Sequence, residues 1–130
     1  MNTLQGEVTQ NGRIWAAISY GSHFVGLPLG IIPLILRDDA YAMHHARHAV
    51  AVYLGTLVIG LVVGAVASPL IFCTFGLSIF VLIPFLIVLA LWPILHAVHG
   101  LVLSIHGQWG EPIGTFGLGD WLFGSLQPNK

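Results

Sequence analysis

The stretch Arg37-Asp38-Asp39-Ala40-Tyr41-Ala42-Met43-His44-His45-Ala46-Arg47-His48 holds four of the chain's nine charged residues and three of its seven histidines. Long apolar runs flank it on both sides. Downstream, no Asp, Glu, Lys or Arg occurs between Arg47 and Glu111. A soluble core of that length needs polar turns between its elements, and none of the charged kind are present. Ordinary soluble domains carry roughly 25% charged residues, whereas this chain has 7%, with a mean hydropathy of +0.89. The balance points to an all-α integral membrane protein, one domain in 130 residues.

Working outward, residues 1–13 form a polar tail with no basic leader before an apolar run, so a cleaved secretory signal is not expected. Segment one, residues 14–36, is free of formal charge and long enough as a helix to cross a hydrocarbon core of about 30 Å. Trp15 and Tyr20 lie toward its start, where aromatic rings favour the interface. Ser22, Gly26 and Gly30 recur every four residues, while Pro28 and Pro33 should kink the second half. Segment two, residues 48–67, carries a second ladder of small side chains at Thr56, Gly60, Gly64 and Ser68. Two such ladders predict that the first two helices pack face to face, since close van der Waals contact is what small residues supply in lipid.

Ser68-Pro69 marks a turn. Residues 70–92 make a third crossing, and Pro93 bends the chain into an interfacial amphipathic helix over residues 94–106, with His96, His99 and His106 on one face. Two shorter crossings in this stretch, four in all, are the alternative. The tail, residues 107–130, is rich in glycine and aromatics and is expected along the headgroups or against a partner subunit. Three crossings put Arg37, Arg47 and Lys130 on one side and Arg13 on the other. The positive-inside bias then places the first loop and the C-terminus in the cytoplasm, in a multi-pass protein of the plasma (inner) membrane.

Asp38 and Asp39 read as solvated caps of a helix that begins at Ala40. The histidines are the candidate chemistry. Topology brings His96 and His99 toward His44, His45 and His48, and His44 and His48 share a helix face at i, i+4. The bland reading is imidazoles hydrogen-bonded to backbone, water or headgroups. The sharper one uses His23, His45, His48, His96 and His99 to ligate haem, a chlorophyll-type pigment or a metal. His23 lies about 14 Å into segment one, where its nitrogens need internal partners. No HExxH sequence exists and no carboxylate accompanies the pair at matching spacing, so no metal site is assigned and no cofactor is expected. No Ser/His/Asp or Cys/His arrangement supports an enzyme. Cys73 reads as a small packing residue. A net charge of -1 offers no surface for nucleic acid.

Ser22-His23-Phe24, Gly30-Ile31-Ile32-Pro33-Leu34-Ile35 and His45-Ala46-Arg47-His48-Ala49 together resemble a family of small bacterial and archaeal membrane proteins of unknown function. That family is distantly similar to the four-helix subunit of the chloroplast inner-envelope import translocon. Gly107-Gln108-Trp109-Gly110-Glu111-Pro112 is similar to the family's closing element. The resemblance covers roughly residues 14–112 and departs at Ala51-Val52-Tyr53, where the family carries Asn-Phe-Gln. His44, His48, His96, His99 and His106 are not part of its pattern. It implies the fold, and it suggests a channel or translocon-like role. The residues themselves suggest a non-enzymatic accessory or scaffold subunit of a larger membrane complex, with the lipid bilayer and other membrane subunits as partners.

Overall fold

The structure, a computed structural model, describes residues 7–129. Lys130, counted above for orientation, and residues 1–6 of the polar tail lie outside the described residues. The described chain is helical without strands, in the order α1 (Gln10–Gly21), a single 3-10 turn (Ser22–Val25), α2 (Ile31–Leu36), α3 (Ala40–Cys73), α4 (Ile79–Ile105) and α5 (Leu118–Phe123).

Asp39 organises the start of the fold. Its carboxylate accepts from the Ala42 amide at 2.8 Å and so caps α3. It also accepts from the Thr9 hydroxyl, while Thr9 caps α1 by accepting from the Gly12 amide. Gly12 lies directly against the Asp39 carboxylate, where a Cβ would collide. One acidic side chain therefore ties two helix starts together. Asp39 caps α3 as the sequence suggested, and α3 extends the expected 48–67 helix in both directions. It runs through Ser68-Pro69, where a turn was expected, to Cys73, so that the next helix begins at Ile79 and not at residue 70.

Segment one departs from expectation. It is not one helix over 14–36 but two, and the chain reverses between them. Gly26 takes a left-handed conformation (φ 72°) that stops the 3-10 turn. Leu27 precedes Pro28, a position disfavoured for helix. Pro33 then sits in the first turn of α2, where its missing amide would have had no intrahelical partner anyway. The contacts trace the reversal: Thr9 lies at Asp39, His23 reaches the Ala49 carbonyl, Tyr53 reaches the Gly26 carbonyl, and Gly30 packs back beside Ser19 and Val50. Arg13, expected on the far side from Arg37 and Arg47, packs against Gly107 at the same end of the molecule as Asp39.

The other correction concerns Pro93. Rather than dividing a crossing from an interfacial helix over 94–106, it lies within one continuous α4, as does Pro84. Each proline removes one helical bond, and the Leu- and Ala-rich flanks carry the helix through. Two helices, α3 and α4, are thus long and apolar enough to cross a membrane.

These two helices have distinct halves. Near Ala40–Val52 and His96–Ser104 they are buried by α1, α2 and the C-terminal tail, forming a compact head. From Tyr53 to Leu95 they form a hairpin whose aliphatic side chains, Leu61, Val62, Phe80 and Val81 among them, face outward. Only 22% and 6% of the most apolar windows of α3 and α4 are buried, unlike core helices of a soluble protein. Gly60 and Gly64 face open space, as does Gly26, so the two small-residue ladders do not meet. Thr56 hydrogen-bonds its own helix at Val52. Among the ladder residues that were expected to pack helices, Gly30 makes close side-chain contacts, with Val50 and Ser19, and Ser22 is buried in the head.

The hairpin tip is closed internally. Gly76 (φ 86°) donates to Ile71, and Thr74 bonds the Leu70 carbonyl, the Ser78 hydroxyl and the Ser78 amide. Phe75 is 98% exposed at the apex.

The interior of the head mixes small apolar side chains with large polar ones. Its largest fully buried side chains include Tyr20, Tyr41, Met43, His45, His48 and His96, while Leu34, Ala46 and Val50 form a buried aliphatic cluster backed by Phe123 and Leu126. Gly100 lies against the Tyr20 ring, which a Cβ would overlap. Because that ring is fully buried and cannot yield, Gly100→Ala is expected to cost about 1–3 kcal/mol. Gly60→Ala, in open space within α3, should leave stability unchanged or raise it by up to about 1 kcal/mol. Thermal unfolding of both variants in detergent measures the contrast.

Candidate functional site

The C-terminal tail folds back across the head as a strap, and histidines hold it there. His45 on α3 places Nε2 2.9 Å from the Gln108 carbonyl and Nδ1 3.1 Å from the Tyr20 hydroxyl. A carbonyl only accepts, so Nε2 carries the proton and donates to Gln108. Nδ1 then accepts from the tyrosine. The geometry fixes the tautomer of a fully buried ring, and both of its nitrogens are spent.

One helical turn apart on α4, His96 and His99 take hold of a single residue of the strap. His96 Nδ1 donates to the Ile113 carbonyl at 3.1 Å, and the Ile113 amide donates to His99 Nδ1 at 3.0 Å. Trp92 donates to the Gly114 carbonyl at 3.1 Å. Gly114 has φ 80°, and a Cβ there would strike the Trp92 ring, so glycine is required on both counts. Tyr41 points its hydroxyl at the carbonyls of Leu103, Ser104 and Gln108, each 3.2 Å away, and meets the Trp109 ring edge-on at 5.1 Å. Farther along, Arg47 donates to the Leu126 carbonyl, and Asn129 bonds the carbonyls of Leu36 and Arg37. The tail expected along headgroups or on a partner is therefore docked on its own chain.

His23 performs the same service for α1. Its Nδ1 lies 3.1 Å from the Ser19 carbonyl and its Nε2 3.1 Å from that of Ala49. Only an imidazolium could donate to both. Burial holds the His23 imidazole below its ordinary value despite these backbone bonds, so it is neutral at pH 7 and serves one carbonyl at a time. Beside it lies a small apolar cavity of 170 Å³, lined by Phe24, Tyr53, Thr56, Pro93, Ile94 and Ala97 as well as His23. Pockets for drug-sized ligands start at about 300 Å³. His106, expected on the face of His96 and His99, is exposed and bonds its own helix at Val102.

Of the five histidines singled out as ligand candidates, His23, His45, His96 and His99 thus use ring nitrogens to bind backbone. His48 does not. It is fully buried, and neither ring nitrogen has a hydrogen-bond partner. His44 Nε2 and His96 Nε2 are likewise unpartnered. The His44 and His48 rings stand 4.8 Å apart, edge to face. Gly119 of α5 packs on the His48 ring and backbone, with no room for a Cβ. One ring nitrogen of His48 and one carboxylate oxygen each of Glu111 and Asp120 lie within 4.8 Å of one another. Sequence spacing along a single helix could not reveal these two acids. The available signal was composition: they are the only acidic residues after Asp39.

Tyr20→Phe leaves His45 Nδ1 buried without a donor and is expected to cost about 1–3 kcal/mol. Tyr53→Phe, whose hydroxyl bond to Gly26 is exposed, should cost less than about 1 kcal/mol. Urea or thermal titration in detergent separates the two. For His23, the unfolded imidazole takes up a proton near pH ~6.5 and the folded one only below that. Its contribution to stability is complete above that pH and is lost as the pH falls through the folded value. The unfolding midpoint should therefore drop between pH 7 and 5, and His23→Gln should flatten part of that drop. In comparisons with known proteins, no family model, no curated protein and no solved structure matches this chain.

Proposed function

We propose that this chain is a non-enzymatic membrane protein that embeds its α3–α4 hairpin in the bilayer and serves as an accessory or scaffold subunit of a larger complex. The observation that carries this reading is the hairpin surface. Aliphatic and aromatic side chains face outward over its whole length, and no charge interrupts it between Arg47 and Glu111. In water that surface far exceeds the few hundred Å² of apolar patch a soluble monomer tolerates. In lipid it is the ordinary exterior. From Tyr53 to Cys73, α3 spans about 31 Å, which matches a hydrocarbon core of about 30 Å. Gly60 and Gly64, open on one face of α3, offer a partner helix close backbone approach.

The plasma (inner) membrane is the proposed location. The first loop and the C-terminus lie on its cytoplasmic side. Arg13, Arg37 and Arg47 all belong to the head and the tip bears no charge, which supports that orientation. In this reading the protein crosses twice instead of three times. Relationship to the small membrane-protein family, through His45-Ala46-Arg47 and Gly107-Gln108-Trp109, belongs to the same proposal. A tetrapyrrole role gains no support from the geometry, because the nitrogens of His23 and His45 face protein oxygens and the cavity at His23 is small. A channel role would require many copies, since two helices enclose no pore.

Cys73, the single cysteine, is exposed beside the tip and reports on topology directly. A membrane-impermeant maleimide added to intact cells is expected to label Cys73. It should fail to label Ser125→Cys in a Cys73→Ser background until the membrane is opened. Labelling of Ser125→Cys from outside would overturn the orientation. For the scaffold role, the protein in mild detergent should migrate as a complex larger than its monomer, and Gly60→Leu with Gly64→Leu should reduce it to the monomer. A monomer at every detergent level would count against a subunit role.

A further inference from the structure

We infer that His48, Glu111 and Asp120 form a binding site for a first-row divalent cation such as zinc, which clasps the C-terminal strap to α3. Three observations converge on it. First, His48 is fully buried, and both of its ring nitrogens are buried without a hydrogen-bond partner. A buried imidazole left so is costly, and a metal ion is the partner an imidazole lone pair serves best after a proton donor. Second, the groups that approach it are two carboxylates from separate parts of the strap, one just after α4 and one in α5. Their oxygens and a His48 nitrogen lie within 4.8 Å of one another. Zinc holds nitrogen and oxygen ligands at about 2.0–2.2 Å, so two of its ligands stand no more than about 4.3 Å apart. Closing the difference takes small rotations of Glu111 and Asp120, both on the exposed side of the site. Third, Gly119 lets α5 sit on the His48 ring itself, which places Asp120 at the imidazole edge.

The simpler alternative is that Asp120 serves only Arg47. That pair is 3.8 Å long with the Asp120 side chain 53% exposed, a weak contact by the measure of surface ion pairs. It leaves Asp120 Oδ2 free and does nothing for Glu111 or His48. One neutral imidazole and two carboxylates carry a charge of -2, which a divalent cation neutralises. The imidazole selects zinc, cobalt, nickel or iron over magnesium and calcium. His44, whose Nε2 is also buried and unpaired, has its ring centroid 4.8 Å from that of His48. This site does not depend on the membrane reading, since it lies wholly in the head.

The test is calorimetric titration of zinc into the full chain, free of any polyhistidine tag and stripped with EDTA, in detergent. One saturable site per chain is expected, with a rise in unfolding temperature on adding zinc and none on adding magnesium. His48→Ala should abolish binding. Because that variant alters a buried side chain, the double variant Glu111→Gln with Asp120→Asn provides the second measurement. Both of its changes are at exposed positions, so its unfolding temperature in EDTA should match the parent. Its zinc affinity should fall at least tenfold, while His106→Ala, at the exposed histidine, binds as the parent does. Absence of saturable zinc binding by the parent chain would overturn the site. So would a double variant that binds zinc as tightly as the parent, or binding lost in His106→Ala.

Discussion

A neutral imidazole buried away from water must find a donor for one nitrogen and an acceptor for the other, and His45, at the centre of the head, orders its neighbours by that requirement. His45 meets it with Tyr20 on one side and the Gln108 carbonyl on the other. Tyr20 is in turn packed against Gly100 and against the His96 ring, with centroids 5.6 Å apart. His96 reaches the strap at Ile113, whose amide returns to His99. Elements distant in sequence are thereby locked into one arrangement, because moving any of them strands a buried nitrogen. Non-directional aliphatic packing would tolerate sliding, whereas this network does not.

The hydrogen-bonded histidines inside the head and the apolar exterior of the hairpin are two aspects of one design. Water-driven burial would place Leu, Ile and Val inside and histidine and tyrosine at the rim. Here Leu61, Val62, Phe72 and Phe80 are outside, and Tyr20, Tyr41, His45 and His96 are inside. Helices α3 and α4 run through both regimes without interruption. Their lower halves are specified by hydrogen bonds to backbone carbonyls, and their upper halves by little more than length and apolar character.

This division also explains what could be read from the sequence. The Asp39 cap and the helix beginning at Ala40 were legible because a cap is local chemistry, settled within three residues. The charge-free hairpin was legible from composition. The reversal in segment one was not, because Pro28 and Pro33 are compatible with a kink, and Gly26 gives no sign in sequence that it will adopt a left-handed conformation. Pro93 misled for the converse reason, as proline weakens a helix without obliging it to end. The strap was hidden most deeply. Its acceptors are main-chain groups of Gln108, Ile113 and Gly114, which carry no side-chain pattern at all. The histidine convergence followed from topology, but its carboxylate companions come from the far end of the chain.

If the hairpin is embedded in the bilayer as proposed, its closed tip bears on how the protein gets there. Carrying an Arg, Lys or Asp to the centre of a bilayer costs roughly 2.5–3.5 kcal/mol each on insertion scales. Between Arg47 and Glu111 there is nothing of that kind to carry. The turn that must lead the way has its Thr74 and Ser78 hydroxyls and its Gly76 amide already engaged, and its apex is a phenylalanine. Such a hairpin can pass into lipid as a preformed wedge, with no polar loop to be dragged across. On that proposal the energetic barrier to biogenesis would move from translocation to the closing of the strap, which must wait until α4 and the tail have both been made.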